Sequence, residues 1–140
     1  MKHESSLRVR FCETDMAGHV NNTSYFIYLE EARGKFFQEV LPGQVNSVGR
    51  FILASTKCDF VSQAYFGNPL VIRSWISRIG RSSFTFTHEI LVEGTKELVA
   101  KADAVIVHFN YEKQQSEPIS DELRVCLESY LKTETAERSV

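Results

Sequence analysis

From residue 51 to residue 111 the chain offers four strand-like segments in a row: about Phe51 to Ser62, Leu70 to Ile79, Phe84 to Val92 and Leu98 to Tyr111. The connections between them are short. Parallel neighbours need a crossover of a dozen or more residues, so consecutive strands this close pair antiparallel. Turn formers mark the breaks, at Gly67-Asn68-Pro69, Gly80-Arg81-Ser82 and Glu93-Gly94-Thr95. In the third segment Phe84, Phe86, His88, Ile90 and Val92 share a face, and in the fourth Leu98, Ala100, Ala102, Ala104 and Ile106 share one. That second row is mostly small, which lets a bulky element lie close.

The bulky element stands upstream. Tyr25, Leu29, Ala32, Phe36 and Val40 recur at helical spacing with Phe26, Arg33 and Phe37 beside them, and Glu31 and Lys35 lie opposite in the favourable i,i+4 order. The pattern predicts a helix from about Thr23 to Val40, capped by Asn21 or Asn22 and stopped by Pro42-Gly43. Before it, Leu7-Arg8-Val9-Arg10-Phe11 alternates as a half-buried strand and ends at a polar turn, Glu13 to Gly18. After the sheet, Ser120 caps a last helix whose apolar stripe is Leu123, Cys126, Leu127, Tyr130 and Leu131, and the polar tail from Thr133 to Val140 is expected to fray. The order β-α-β-β-β-β-α reads as α+β, a five-stranded antiparallel sheet with the long helix on one face. At 140 residues, with no repeat or linker, the chain fits one domain over residues 1–140.

Composition removes several functions. A formal net charge of −2 gives no basic field for nucleic acid or anionic membranes. No stretch approaches the length of an apolar membrane span. Cys12, Cys58 and Cys126 are odd in number and never spaced C-x-x-C, which points to small buried thiols in a reducing, cytoplasmic setting. There is no G-x-S-x-G elbow, no G-x-G-x-x-G and no phosphate loop. His3, His19, His88 and His108 lack ligand spacing, so neither a metal nor another cofactor is expected.

What remains is Asp15, a carboxylate between a strand end and a helix start, followed by Met16-Ala17-Gly18-His19-Val20-Asn21-Asn22. Taken alone, Asp and Gly are ordinary turn formers and the Asn pair an ordinary cap. The wider pattern is more specific. The T-D-x-x-G-H-V-N-N-x-x-Y core at Thr14 to Tyr25, the helix with Glu31-Ala32-Arg33, the segment Arg78 to Phe84 and the strand Leu98 to Val107 together resemble the 4-hydroxybenzoyl-CoA thioesterase-like family of hot-dog proteins, over about residues 5 to 112.

The resemblance implies a hot-dog fold, a curved antiparallel sheet wrapped round the helix. It also implies homodimers, often paired into homotetramers, that hydrolyse acyl-CoA at sites on subunit interfaces. Asp15 matches the family's catalytic aspartate, and the backbone N–H of Asn22 matches the group that polarises the thioester carbonyl. Arg81, Ser82 and Ser83 match, more loosely, the turn where some members hold the nucleotide end of CoA, although Gly80 replaces a basic residue found there in at least one member. The chemistry agrees with these roles. Helix N-termini carry unpaired donors and partial positive charge. A thiolate leaves without a strong acid, and an ionised Asp is an available nucleophile or a weak base. Whether Asp15 forms an anhydride or activates water stays open. His19 serves either as a substrate contact or in proton transfer, as in related carrier-protein thioesterases, and Tyr25 is core or pocket wall. The rival functions are an acyl-carrier-protein thioesterase and a hot-dog module that binds acyl-CoA without turnover.

Overall fold

The computed structural model of the protein describes residues 1–41 and 50–132; the expected helix stop at Pro42-Gly43 and the tail from Thr133 lie outside the described residues. Five long strands, β1 (His3–Arg8), β2 (Phe51–Phe60), β3 (Pro69–Ile79), β4 (Ser83–Val92) and β5 (Leu98–Asn110), form one antiparallel sheet in the order β1-β3-β4-β5-β2. A two-residue strand, β6 (Gln115–Ser116), adds to the end of β5. Helix α1 (Asn22–Val40) carries the chain from β1 at one edge to β2 at the other, and α2 (Asp121–Glu128) follows the sheet. This is the α+β hot-dog arrangement that the resemblance implied.

The faces fall as the periodicity requires. Phe84 pairs with Ile106, Phe86 with Ala104, His88 with Ala102 and Ile90 with Ala100, and all eight side chains are buried. Helix α1 buries Tyr25, Tyr28, Leu29, Ala32, Phe36 and Phe37 against this surface, while Lys35 pairs with Glu31 at 3.1 Å on the outer side. Phe26, expected beside the apolar stripe, is exposed.

The apolar core forms two clusters. The first gathers Tyr25, Tyr28, Leu29 and Ala32 with Ile72, Ile90, Ala100 and Ala102; the second gathers Phe36 and Phe37 with Ile76, Phe84, Phe86, Ala104 and Leu123. Between them lies a polar belt of Arg33, His88 and Ser74. Arg33 Nη1 donates to His88 Nε2 at 3.4 Å, and the His88 Nδ1–H meets Ser74 Oγ at 2.8 Å. Burial, with the facing guanidinium second, holds the His88 imidazole down at a pKa of about 3. His88 is therefore neutral, which leaves Nε2 free to accept from a group that only donates.

Three expectations are corrected. The first strand covers His3–Arg8 rather than Leu7 to Phe11, because the Arg10 amide donates to Glu13 Oε1 at 2.8 Å and draws Phe11–Glu13 into a short 3-10 helix. Tyr130 and Leu131 lie beyond α2, in a segment that extends the β3 edge past the end of β1: the Ile76 amide donates to the Tyr130 carbonyl at 2.9 Å and the Lys132 amide to the Ile76 carbonyl at 2.7 Å. Cys12 is exposed on the 3-10 helix rather than buried, while Cys58 and Cys126 are half-buried. Ser120 caps α2 as expected, accepting from the Leu123 amide at 3.2 Å.

Candidate active site

The turn between the 3-10 helix and α1 is fixed from both sides. On one side Glu13, only 7% exposed, accepts from the Arg10 amide, from Arg10 Nε at 2.9 Å and Nη2 at 2.5 Å, and from the Tyr28 hydroxyl at 2.8 Å. Burial alone would raise this carboxyl; the hydrogen bonds from Arg10 and Tyr28 outweigh it and hold it below the usual range. On the other side the turn joins the segment after β2, where the Val20 amide donates to the Ala64 carbonyl and the Phe66 amide to the Gly18 carbonyl, both at 3.0 Å. Gly18 sits at φ +82°, in the left-handed region where a side chain is strained.

Within this frame Asp15 is oriented by main chain. Its Oδ1 accepts from the Ala17 amide at 2.8 Å and the His19 amide at 3.0 Å. Its Oδ2 has the His19 ring nearby, with Nδ1 at 4.0 Å, and both side chains are partly exposed. Asp15 and His19 line a cleft of about 410 Å³ with Val20, Asn21, Asn22, Thr23 and Gln63. Asn21 is the cap residue of α1, yet its side chain makes no capping hydrogen bond; its carbonyl accepts from the Ser24 amide at 2.9 Å, which leaves the Asn22 and Thr23 amides without an acceptor among the described residues. One cleft thus holds an oriented carboxylate, an imidazole and a helix N-terminus. That set suits attack on a polarised carbonyl.

The other expected residues lie elsewhere. Tyr25 is 3% exposed and packs in the core against Tyr28 and Phe60, with ring centroids 6.2 and 5.3 Å away; burial raises its phenol above the usual range. Arg81 and Ser82 occupy the β3–β4 turn and Ser83 opens β4; the Ile119 amide donates to the Arg81 carbonyl and the His108 amide to the Ser82 carbonyl, both at 2.8 Å. Asp15 is tied to the opposite end of β3, through Arg8 opposite Pro69 and the bridge from His19 to Tyr65. An eleven-residue strand separates the two ends, roughly 35 Å at ~3.3 Å per residue. One chain does not bring Arg81 to Asp15.

Two participants stand outside the sequence motif. Gln63 reaches the cleft only because the segment after β2 pairs with the turn; Glu13 is betrayed by Arg10 three residues before it, a spacing that suits a side chain folding back on the main chain. Among the described residues no group of three or more His, Cys, Asp and Glu side chains is placed to hold a metal ion, and no helix is long and apolar enough to cross a membrane.

Comparison with known proteins agrees with the fold. The fold matches a predicted thioesterase from Bacillus stearothermophilus with a TM-score of 0.86 and 30% identity, covering 96% of this chain and 100% of that one. A thioesterase from Thermus thermophilus, solved in complex with coenzyme A and Zn, matches with a TM-score of 0.80 and 26% identity over 91% of this chain and 92% of that one. The acyl-CoA thioesterase YbgC of Helicobacter pylori is 38% identical over 85 residues, 59% of this chain. The chain spans 55% to 62% of the length of the curated relatives it matches at 38% identity. The pattern of the Thioesterase-like superfamily matches residues 9–127, a stretch that contains the Asp15 turn, the crossing helix and the whole of β2 to β5, and the chain belongs to that family.

Proposed function

We propose that this chain hydrolyses acyl-CoA thioesters to free CoA and a carboxylic acid. The observation that carries the reading is the shared cleft: Asp15 Oδ2 and the first amides of α1 border the same space, with Oδ1 locked by two main-chain donors. In the reaction the thioester oxygen takes the helix N-terminus, with the Asn22 amide as the principal donor, where the helix dipole favours developing negative charge. Asp15 acts on the carbonyl carbon, directly as nucleophile or through a water it deprotonates, and the thiolate departs without an acid. His19 borders the thioester and Gln63 the opposite wall.

Because Arg81 stands at the far end of the sheet, a nucleotide contact there would come from another subunit's Arg81. The free edge of β2 supports such an assembly. Among the described residues β2 pairs with β5 alone, and Leu53, Phe60 and Val61 on or just after it, with Ile27 on α1, are exposed apolar side chains. An unpaired strand beside an apolar strip suits pairing with a second copy. We therefore include a homodimer through β2, able to pair further into a tetramer, in the proposal.

A second reading, a thioesterase for acyl groups on a carrier protein, is favoured by one feature: the lining of the cleft contains no Lys or Arg for CoA phosphates. A panel of acyl-CoAs, with the matching acyl-pantetheines and acyl carrier proteins, read by thiol release, separates the two. Acyl-CoA should be turned over faster than acyl-pantetheine, and Asp15→Asn should lower kcat by about 100-fold or more with little change in melting temperature. Near-wild-type turnover in that variant would remove the mechanism, and preference for the carrier protein would move the assignment to the second reading.

A further inference from the structure

The edge of β3 is shared by two pieces of chain that meet beside Trp75. β1 covers it as far as Ser74, which lies opposite His3, and the segment after α2 takes over, with the Lys132 amide donating to the Ile76 carbonyl at 2.7 Å. Side chains alternate along a strand, so Trp75 faces away from Ser74 and the polar belt, on the sheet surface opposite α1. The indole is fully buried, and an ammonium from each piece of chain closes over it: Lys2 Nζ stands 4.5 Å from the ring centroid and Lys132 Nζ 5.6 Å. Attraction to one ring thus brings two like charges together.

The neighbours do not cancel the repulsion. Among the described residues Glu89 on β4 alone pairs with the two lysines, 3.9 Å from Lys2, while Arg73 on β3 adds a third cation whose own partner is Glu4 at 2.9 Å. Burial first, then the charge of Lys132, hold the Lys2 amine below the usual lysine range; hydrogen bonding to Lys132 and the charge of Arg73 add to this, and Glu89 opposes it. An ammonium only donates, so a hydrogen bond between the two amines requires one of them to be neutral. A desolvated lysine beside another cation is a nucleophile.

We propose that Lys2, at the meeting of these two chain pieces over Trp75, is a site of covalent acylation by thioesters. The neutral Nζ adds through its lone pair to the thioester carbonyl carbon, the C–S bond breaks, and a proton of the amine passes to the departing thiolate, which leaves an amide on Lys2 and a free thiol. The co-reactant, an acyl thioester, rests on the thioesterase reading. Asp15 takes no part in the step, because it lies past the other end of β1, a six-residue strand roughly 20 Å long at ~3.3 Å per residue.

Incubation of the whole protein with octanoyl-CoA, followed by peptide mass spectrometry, measures acylation lysine by lysine. Asp15→Asn, which spares the thioester from hydrolysis, is followed beside wild type. In both, Lys2 should acylate several-fold faster than Lys96 and Lys113, which stand exposed between strands. Lys132→Gln, at an exposed position, removes the neighbouring charge and should slow Lys2 to the rate of those two, with its plateau moved to higher pH; Lys132→Arg, which keeps the charge, should leave Lys2 fast. Trp75 is the single Trp of the chain, so its emission should change in step with Lys2 acylation as the cation leaves the ring. Fast acylation of Lys2 in a wild type that releases thiol only in step with it defeats the thioesterase reading alone. Lys2 acylating no faster than Lys96 and Lys113, or at a rate that Lys132→Gln does not change, overturns the proposal.

Discussion

Four hydrogen bonds converge on the Glu13 carboxylate, three from Arg10 and one from Tyr28, and they hold the turn that aims Asp15. Because the folded carboxyl lies below its ordinary value of 4.5, its stabilising contribution is complete above that pH and is lost as the pH falls below it. Glu13→Gln should therefore lower the melting temperature by several degrees at pH 7, with the gap to wild type closing below about pH 4.5. Turnover should fall with it, since Asp15 loses its frame. A constant gap across pH, measured by thermal unfolding, would show that charge is not what Glu13 supplies. Asp15 itself was legible in the sequence because its surroundings are local: Ala17 and His19, which orient it, are two and four residues away. Gln63 was not legible, because only a pairing across more than forty residues brings it to the cleft.

Among the elements, the long helix and strands β2 to β5 follow from side-chain period, and their observed bounds lie within about two residues of those read from the pattern. The errors fall where polar groups override period. β1 stops early because a carboxylate captures the next amide, and α2 ends before Tyr130 because the open edge of β3 takes the following backbone. The polar belt belongs to this scale as well, since α1, β3 and β4 each contribute one member. His88 has its pKa lowered from 6.5 to about 3, so the unfolded chain binds a proton that the folded chain refuses. Stability should be full above pH 6.5 and fall towards pH 3, by up to about 1 kcal/mol per pH unit from this residue. Urea unfolding of His88→Gln, which keeps an acceptor for Arg33, should show a flatter decline between pH 6.5 and 4 than wild type. Parallel profiles would mean that His88 is not the group that titrates.

For the whole molecule, the antiparallel sheet and the placement of α1 on one face were readable, but the sequence could not show that β2 pairs with β5 rather than with the consecutive β3, or that Asp15 and Arg81 sit at opposite ends of the sheet. Strand pairing decides that, and pairing is a property of the folded sheet. The free β2 edge makes a prediction of its own. Leu53→Lys would put a charge on the apolar strip and Ala54→Pro would remove a main-chain donor from the edge strand, so the double variant should shift the protein from dimer towards monomer in light scattering at micromolar concentration. A wild type that is monomeric and fully active would contradict the assembly. The division of the core has a further consequence, for inheritance rather than for chemistry. Each belt residue lies between members of the two clusters along its own element: Arg33 between Ala32 and Phe36, Ser74 between Ile72 and Ile76, His88 between Phe86 and Ile90. Volume changes beneath the Asp15 cleft therefore stop at a layer of fixed hydrogen bonds before they reach the phenylalanines around α2. A lineage built this way can drift in what it accommodates at one end while the other end keeps it folded.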